Sequence, residues 1–320
     1  MRILIVTSEW PDYTDDVTGI HVVNQVKRLQ EAGVDVSVFS FIGRKNLFKY
    51  IKAIMGFRRL DLDDYDVIHA HHGQSGIVAL CQKKLPVVVT FHGSDLQGLF
   101  NKWGHLTLLG YVLRLTSRMV AKLADEVIIV SGHLKSFLPG RSYHVIPIGI
   151  DIDLFSPMRL AEARQALGLP LDKRLILFVG DPDRTEKRFW LARESVDAIQ
   201  DQLNVRLIVC HSISHEKMPL YMNACDVLLL TSSSEGSPTV IKEALGCNLP
   251  IVSVDVGDVR QRIAKVEGCI ICDDARPETI SSALQSVLVK PYRIESRESI
   301  ADLDERVLIN EVIDVYKIFK

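Results

Sequence analysis

Short apolar runs alternate with helical patterns along the whole of this chain, and that alternation admits few folds. The runs fall at residues 2–7, 35–41, 66–69, 87–91, 126–130 and 143–147 in the first half. In the second half they fall at 174–179, 204–210, 227–231, 251–254 and 268–272. Runs this short and continuously apolar read as central strands of parallel sheets, buried on both faces by the helices between them. The expected class is therefore α/β. At 320 residues the chain is too long for one ordinary core. Pro147 and Pro157 around Gly149 mark a passage between two domains. We expect a first domain at 1–155, a second at 156–304, and a terminal helix at 305–320 that crosses back to the first.

Composition narrows the classes further. A hydrophobic share of 47% with 24% charged residues describes a globular protein, and a net charge of -2 argues against a general nucleic-acid binder. No apolar run approaches the ~20 residues that span a bilayer, and residues 1–11 lack the basic start and cleavage site of a signal peptide. The expectation is a cytoplasmic protein, and six cysteines suit it. Cys81, Cys210, Cys225 and Cys247 stand singly in apolar contexts. Cys269 and Cys272 form a CxxC with no second pair nearby, so they read as strand-core residues and not as a zinc site.

Polar chemistry gathers where the strands end. Ser8 to Gly19 is a polar loop after the first strand, and Gly19 opens a helix with Ile20, Val23 and Val26 at helical spacing. His69, His71 and His72 end the third strand and His92, Gly93, Ser94 and Asp95 follow the fourth. Adjacent residues of a strand point to opposite faces and no carboxylate cluster adjoins, so we expect no metal there. After the first strand of the second half, Gly180 leads into a turn-rich loop with Arg184 and Lys187 at a helix entry, where amides, helix dipole and cations suit a diphosphate. Neither GxxxxGK(S/T) nor GxGxxG occurs, which weakens nucleotide-hydrolase and dehydrogenase readings.

The most informative stretch is 234–258. Ser237 is placed to cap a helix whose first position is Pro238. Glu235 then lies in the loop before that helix and Glu243 in its second turn, and the start of the helix offers amides that attract phosphate. On spacing alone, two acids so placed are as readily a solvated helix face.

In order, the Gly19 loop, the HGSD of residues 92–95, the PIGID of 147–151, the Arg184/Lys187 loop and the E-x7-E of Glu235 and Glu243 resemble the retaining glycosyltransferases of family 4 over nearly the whole chain. The wording of 178–188 and 235–259 looks most like members serving bacterial surface polysaccharide synthesis, including the teichuronic-acid type. The resemblance implies a GT-B architecture, two Rossmann-like domains with a cleft between them. It implies transfer of a sugar from a nucleoside diphosphate donor to a glycan or lipid-linked acceptor, with the anomeric configuration retained and neither metal nor other cofactor. By that resemblance His92 and Glu235 are the catalytic residues, meeting the donor sugar. Gly19, Arg184, Lys187, Gly236, Ser237, Pro238, Thr239 and Glu243 bind the donor, with Glu243 on the ribose. A nucleotide-sugar epimerase and a non-catalytic nucleotide-sugar-binding protein are the rival readings.

Two segments bear on where the acceptor is met. Residues 44–59 hold six basic residues and no acid. If they are helical, Lys45, Lys49 and Lys52 share one face, and Leu47, Ile51, Ile54 and Met55 the opposite one. A surface helix packing its apolar stripe on the sheet and a helix drawn to anionic lipid both fit. Residues 105–123 read first as a core-facing helix and second as a membrane-touching one.

Overall fold

The computed structural model describes residues 1–11, 19–42, 47–101, 105–289 and 292–320, and divides the chain into two units: Met1–Ile148 with Glu305–Lys320, and Gly149–Asp304. Lys45 and residues 12–18 lie outside the described residues.

In the first unit the order is β1 (Arg2–Thr7), α1 (Ile20–Glu31), β2 (Asp35–Ser40), α2 (Leu47–Phe57), β3 (Val67–His71) and α3 (Gly73–Ala79). It continues with β4 (Val87–Phe91), α4 (Ser94–Gln97), α5 (Leu108–Leu123), β5 (Glu126–Ile129) and β6 (His144–Val145). The six strands form one sheet in the order β2-β1-β3-β4-β5-β6, every pair parallel. Strands β3 and β4 are buried at every position, the burial that continuous apolar runs require. Leu4, Val6, Phe57, Ile68, Val89, Phe91 and Val120 share one core on one side of this sheet, and each such side chain contributes about 1.5–3 kcal/mol by leaving water.

The second unit runs α6 (Leu160–Leu167), β7 (Arg174–Val179), α7 (Phe189–Asp197), β8 (Val205–Cys210), α8 (Met218–Ala224), β9 (Val227–Leu230), α9 (Thr239–Gly246), β10 (Ile251–Val254), α10 (Val259–Ile263), β11 (Ile270–Cys272) and α11 (Pro277–Val289). Its five strands are also all parallel, ordered β11-β10-β9-β7-β8. The chain then ends in α12 (Glu305–Lys317), which belongs to the first unit. Tyr316 there is fully buried and its hydroxyl lies 2.6 Å from His69 Nδ1, while Glu305 pairs with Arg28 of α1 at 2.5 Å.

Two sequence expectations change. In α2 the residues that pack inward are Ala53 and Phe57, with Tyr50 and Ile54 partly covered. Of the expected stripe, Ile54 packs on the core while Ile51 and Met55 are exposed, as Lys49 and Lys52 are, so the stripe lies on the sheet only in part. Likewise α5 is not core-facing along its large residues. Its buried positions are the small or short Gly110, Ser117, Val120 and Ala121. Cys269 and Cys272 are free thiols, pushed up to about 11 by burial; Cys272 ends β11 and is buried, whereas Cys269 precedes that strand and is only partly buried.

Candidate functional site

Open parallel sheets bind ligands at the carboxyl ends of their strands, and each unit concentrates its polar side chains there. In the first unit, Gly19 adopts φ 71 immediately before α1, and a Cβ at that position would lie 2.2 Å from the carbonyl oxygen of Glu9. Only glycine lets the segment after β1 close against the start of α1. That closure brings Glu9 and His21 to His72 after β3 and His92 after β4. The His92 ring lies 4.6 Å from that of His21 and 4.3 Å from that of His72. His71 Nδ1 is 3.1 Å from His92 Nε2.

Asp95, which is 1% exposed, fixes the turn that carries His92. Its carboxylate accepts from the backbone N–H groups of Gly73, His92, Gly93 and Leu96 at 2.9–3.3 Å. It also lies 3.7 Å from His72 Nδ1, whose Nε2 is 3.4 Å from Glu9. His72 holds a backbone of φ 70 and ψ 150, strained for any residue with a Cβ. Burial opposes a proton on His72, but Glu9 and Asp95 outweigh it and raise its pKa to about 10. The neighbours go the other way. Burial, then the charge on His72, lowers His21 to about 4, and burial holds His71 and His92 well below 6.5. The result is one imidazolium among neutral imidazoles. His92 Nδ1 is buried with no hydrogen-bond partner among the described residues, which leaves it to meet a ligand.

Among the described residues one group has metal-like spacing: His21, His72 and His92, with nitrogen atoms within 4.8 Å of one another. The sequence reading weighed ligands within 69–72, whereas this group takes one residue from each of three elements. A cation there would have to displace the proton that Glu9 and Asp95 hold on His72.

The proton on His72 makes a prediction. Its folded pKa lies above the unfolded value of 6.5, so the stability it contributes is complete below about pH 6.5 and is lost as pH rises through about 10. Between pH 7 and 8.5 the loss should reach roughly 2 kcal/mol. His72→Gln should flatten that fall in thermal melts, and an unchanged slope would show that the proton resides elsewhere.

In the second unit the loop after β7 and the loop after β9 are stitched together. Thr231 Oγ1 donates to the Lys187 carbonyl at 2.8 Å, Ser233 N donates to the Glu186 carbonyl at 2.8 Å, and Arg188 Nε donates to the Thr231 carbonyl at 2.6 Å. This stitching places Lys187 Nζ 2.7 Å from Glu235 Oε1, both side chains less than a fifth exposed. Gly257, at φ 60, lies under the carbonyls of Glu235 and Gly236, where a Cβ would come within 3.0–3.1 Å of both. Glu243 is buried in α9 with its carboxylate 3.4 Å from His215 Nε2.

Arg184 turns instead to Glu186. The cap of α9 also differs from expectation. Pro238 is the N-cap and Thr239 the first helical residue. The Ser237 hydroxyl donates 2.7 Å to Asp258 and caps nothing. The reason is position, since with Pro238 as the N-cap Ser237 lies one residue ahead of the place from which a side chain reaches the first helix amides. Sequence reading assigned no role to Glu9, His21, Arg188, His215 and Asp258; Arg188 and Asp258 lie inside the stretches 178–188 and 235–259 that carry the resemblance, and the other three lie outside them. It also missed Lys242, fully buried and lowered to about 8 by its burial.

Residues 18–154 match the model of Glycosyltransferase Family 4, and residues 191–303 match that of Glycosyl transferases group 1. A glycosyltransferase of Bacillus subtilis (strain 168), TuaC, assigned to teichuronic acid biosynthesis, is 28% identical over 85% of this chain and 85% of its own. A D-inositol 3-phosphate glycosyltransferase of Nocardiopsis dassonvillei is 23% identical over 95% of this chain and 90% of its own. Among solved structures, sucrose-phosphate synthase from Thermosynechococcus elongatus superposes with a TM-score of 0.81 at 20% identity, covering 99% of this chain and 98% of that one. Anabaena Alr3699/HepE, solved in complex with UDP and glucose, gives a TM-score of 0.71 at 15% identity, covering 99% of both chains.

Proposed function

From the premise that this chain belongs to the family 4 glycosyltransferases of GT-B fold, we propose that it moves a sugar from a nucleoside diphosphate donor to a glycan or lipid-linked acceptor, with retained anomeric configuration, in surface polysaccharide synthesis. The observation that carries the proposal is the Lys187–Glu235 pair at the carboxyl edge of the second sheet, beside the start of α9. A lysine held there can pass its charge from Glu235 to a diphosphate oxygen as the sugar leaves, which stabilises the negative charge that develops in the transition state. Glu235 then orients the sugar. The amides at Gly236 and Thr239 add dipole, with Ser237 and Pro238 shaping that turn, and Glu243 takes the ribose. Arg184, on the same loop as Lys187, supplies the second cation once it leaves Glu186.

In the first unit, Gly19 gives the backbone a close approach and His92 contacts the sugar near the reacting carbon through Nδ1. Among the described residues the carboxylates near His92 are committed elsewhere, Asp95 to backbone N–H groups and to His72, and Glu9 to His72, so we assign no carboxylate nucleophile, in keeping with attack from the face the leaving group departs. The cations do the work a metal ion would otherwise do, so we assign neither metal nor other cofactor. The bound HepE nucleotide makes a uridine diphosphate sugar the first donor to try. The six free cysteines fit a cytoplasmic enzyme.

The test is incubation with a panel of nucleoside diphosphate sugars, with and without short glycan acceptors. We expect slow donor hydrolysis without acceptor, transfer with it, an α product from an α donor by proton NMR, and no loss with a chelator. An inverted product would sink retention, dependence on added metal would sink the cationic mechanism, and isomerised donor alone would sink transfer.

A further inference from the structure

Helix α5 is built inside out. Its inner side is small because α3 approaches closely. A Cβ on Gly73 would lie 2.2 Å from Ser117 Oγ, and one on Gly76 would lie 2.4 Å from Val120. The large apolar residues are left on the opposite side. Leu108 is 82% exposed, and Tyr111, Val112, Leu115, Met119 and Leu123 are each exposed by close to half or more. These residues recur at helical spacing and form one stripe along the whole helix. A stripe of this length is far more contiguous apolar surface than scattered exposed residues explain.

The same surface continues. α2, α3 and α5 all contribute to the core on one side of the first sheet, so they form a layer over it. The outward side of that layer also carries Ile77 of α3 and Ile51 and Met55 of α2. Its charges have one sign. Lys49, Lys52 and Lys122 are exposed, Arg114 and Arg118 flank the stripe, and neither α2 nor α5 contains a carboxylate.

We infer that this face seats the first unit on an anionic lipid bilayer, the apolar stripe of α5 entering the headgroup boundary and the lysines meeting lipid phosphates. Charge decides the occupant. A second copy docked face to face would set these lysines against their own kind with no acid to pair them, whereas anionic headgroups supply the missing sign. Among the described residues no helix is long and apolar enough to cross a membrane, so the contact is peripheral. The inference extends one of the two readings of residues 44–59, the lipid contact, to a surface in which α5 supplies most of the apolar area. It does not depend on the donor chemistry proposed above.

The experiment is co-sedimentation of the full chain with vesicles of phosphatidylcholine alone and of phosphatidylcholine with one-third phosphatidylglycerol. We expect binding to the anionic vesicles that weakens with salt. The double substitution Leu115→Asp with Met119→Asp should weaken it about tenfold or more, and Lys49→Glu with Lys52→Glu several-fold. Leu115→Ser with Met119→Ser repeats the test without added charge, and each variant is checked by circular dichroism and by donor hydrolysis, which should not change. Absence of binding to anionic vesicles, or binding unaltered by either α5 pair, overturns the inference. So does a dimer in solution that Leu115→Asp dissociates, since the stripe is then covered by a second copy.

Discussion

Lys187→Ala should lower transfer by about a hundred- to a thousandfold while the protein still melts as a folded chain, and Glu235→Ala should do the same. The two side chains are 18% and 17% exposed and 2.7 Å apart, so each shields the other in the absence of donor. Pairs this close to solvent contribute little to stability, and losing one partner costs on the order of 1 kcal/mol. Loss of catalysis is expected to be far larger, because a cation aimed at a leaving diphosphate acts in the transition state and not in the resting protein. The double substitution should therefore be scarcely worse than either single one, as expected of groups that act as a unit. Initial rates with a saturating donor, set beside thermal melts, decide the matter. Full turnover in either single variant, with an unchanged melt, would remove both residues from the site.

How far the sequence carried this reading follows from what each signal encodes. Parallel strands announce themselves because burial on both faces leaves no room for polar residues, and β1, β7 and β10 fall at the residues their apolar runs mark. Lys187 and Glu235 were legible for a different reason: each lies in a loop at the end of such a strand. Their direct pairing was not legible. It depends on Thr231, Ser233 and Arg188 holding two loops that are more than forty residues apart in the chain together.

The histidine cluster shows the same limit. Strand periodicity describes residues 69–72, but His21 arrives from α1 only because Gly19 has no Cβ to strike Glu9. The error over α5 is the most instructive. An apolar stripe in sequence does not say which side of the helix is inside. Gly73 and Gly76 decided that by letting α3 come close to the small residues of α5, and no periodicity within α5 records what α3 contains.

Arg164→Met should destabilise the second unit by about 3–5 kcal/mol, a fall of roughly 10 °C in its melting temperature. Arg164 is 1% exposed. Its guanidinium donates to the carbonyls of Ala224, Pro170, Leu171 and Lys173 and to Asp226 Oδ2 at 2.7 Å. The same Asp226 oxygen accepts from Leu175 N at 2.6 Å, and Asp226 N donates to the Leu175 carbonyl at 2.8 Å. One buried ion pair thus ties α6 to the starts of β7 and β9, the strands whose far ends carry Lys187 and Glu235. Methionine fills much of the arginine's volume but strands Asp226 as an uncompensated buried charge, and that stranded charge is the larger part of the cost. Replacing both partners, Arg164→Met with Asp226→Leu, should therefore melt higher than Arg164→Met alone although it removes a further polar group. If the double variant instead melts lower, by the sum of the two single effects, the charge on Asp226 is not what Arg164 neutralises, and its bonds to the four carbonyls account for its burial.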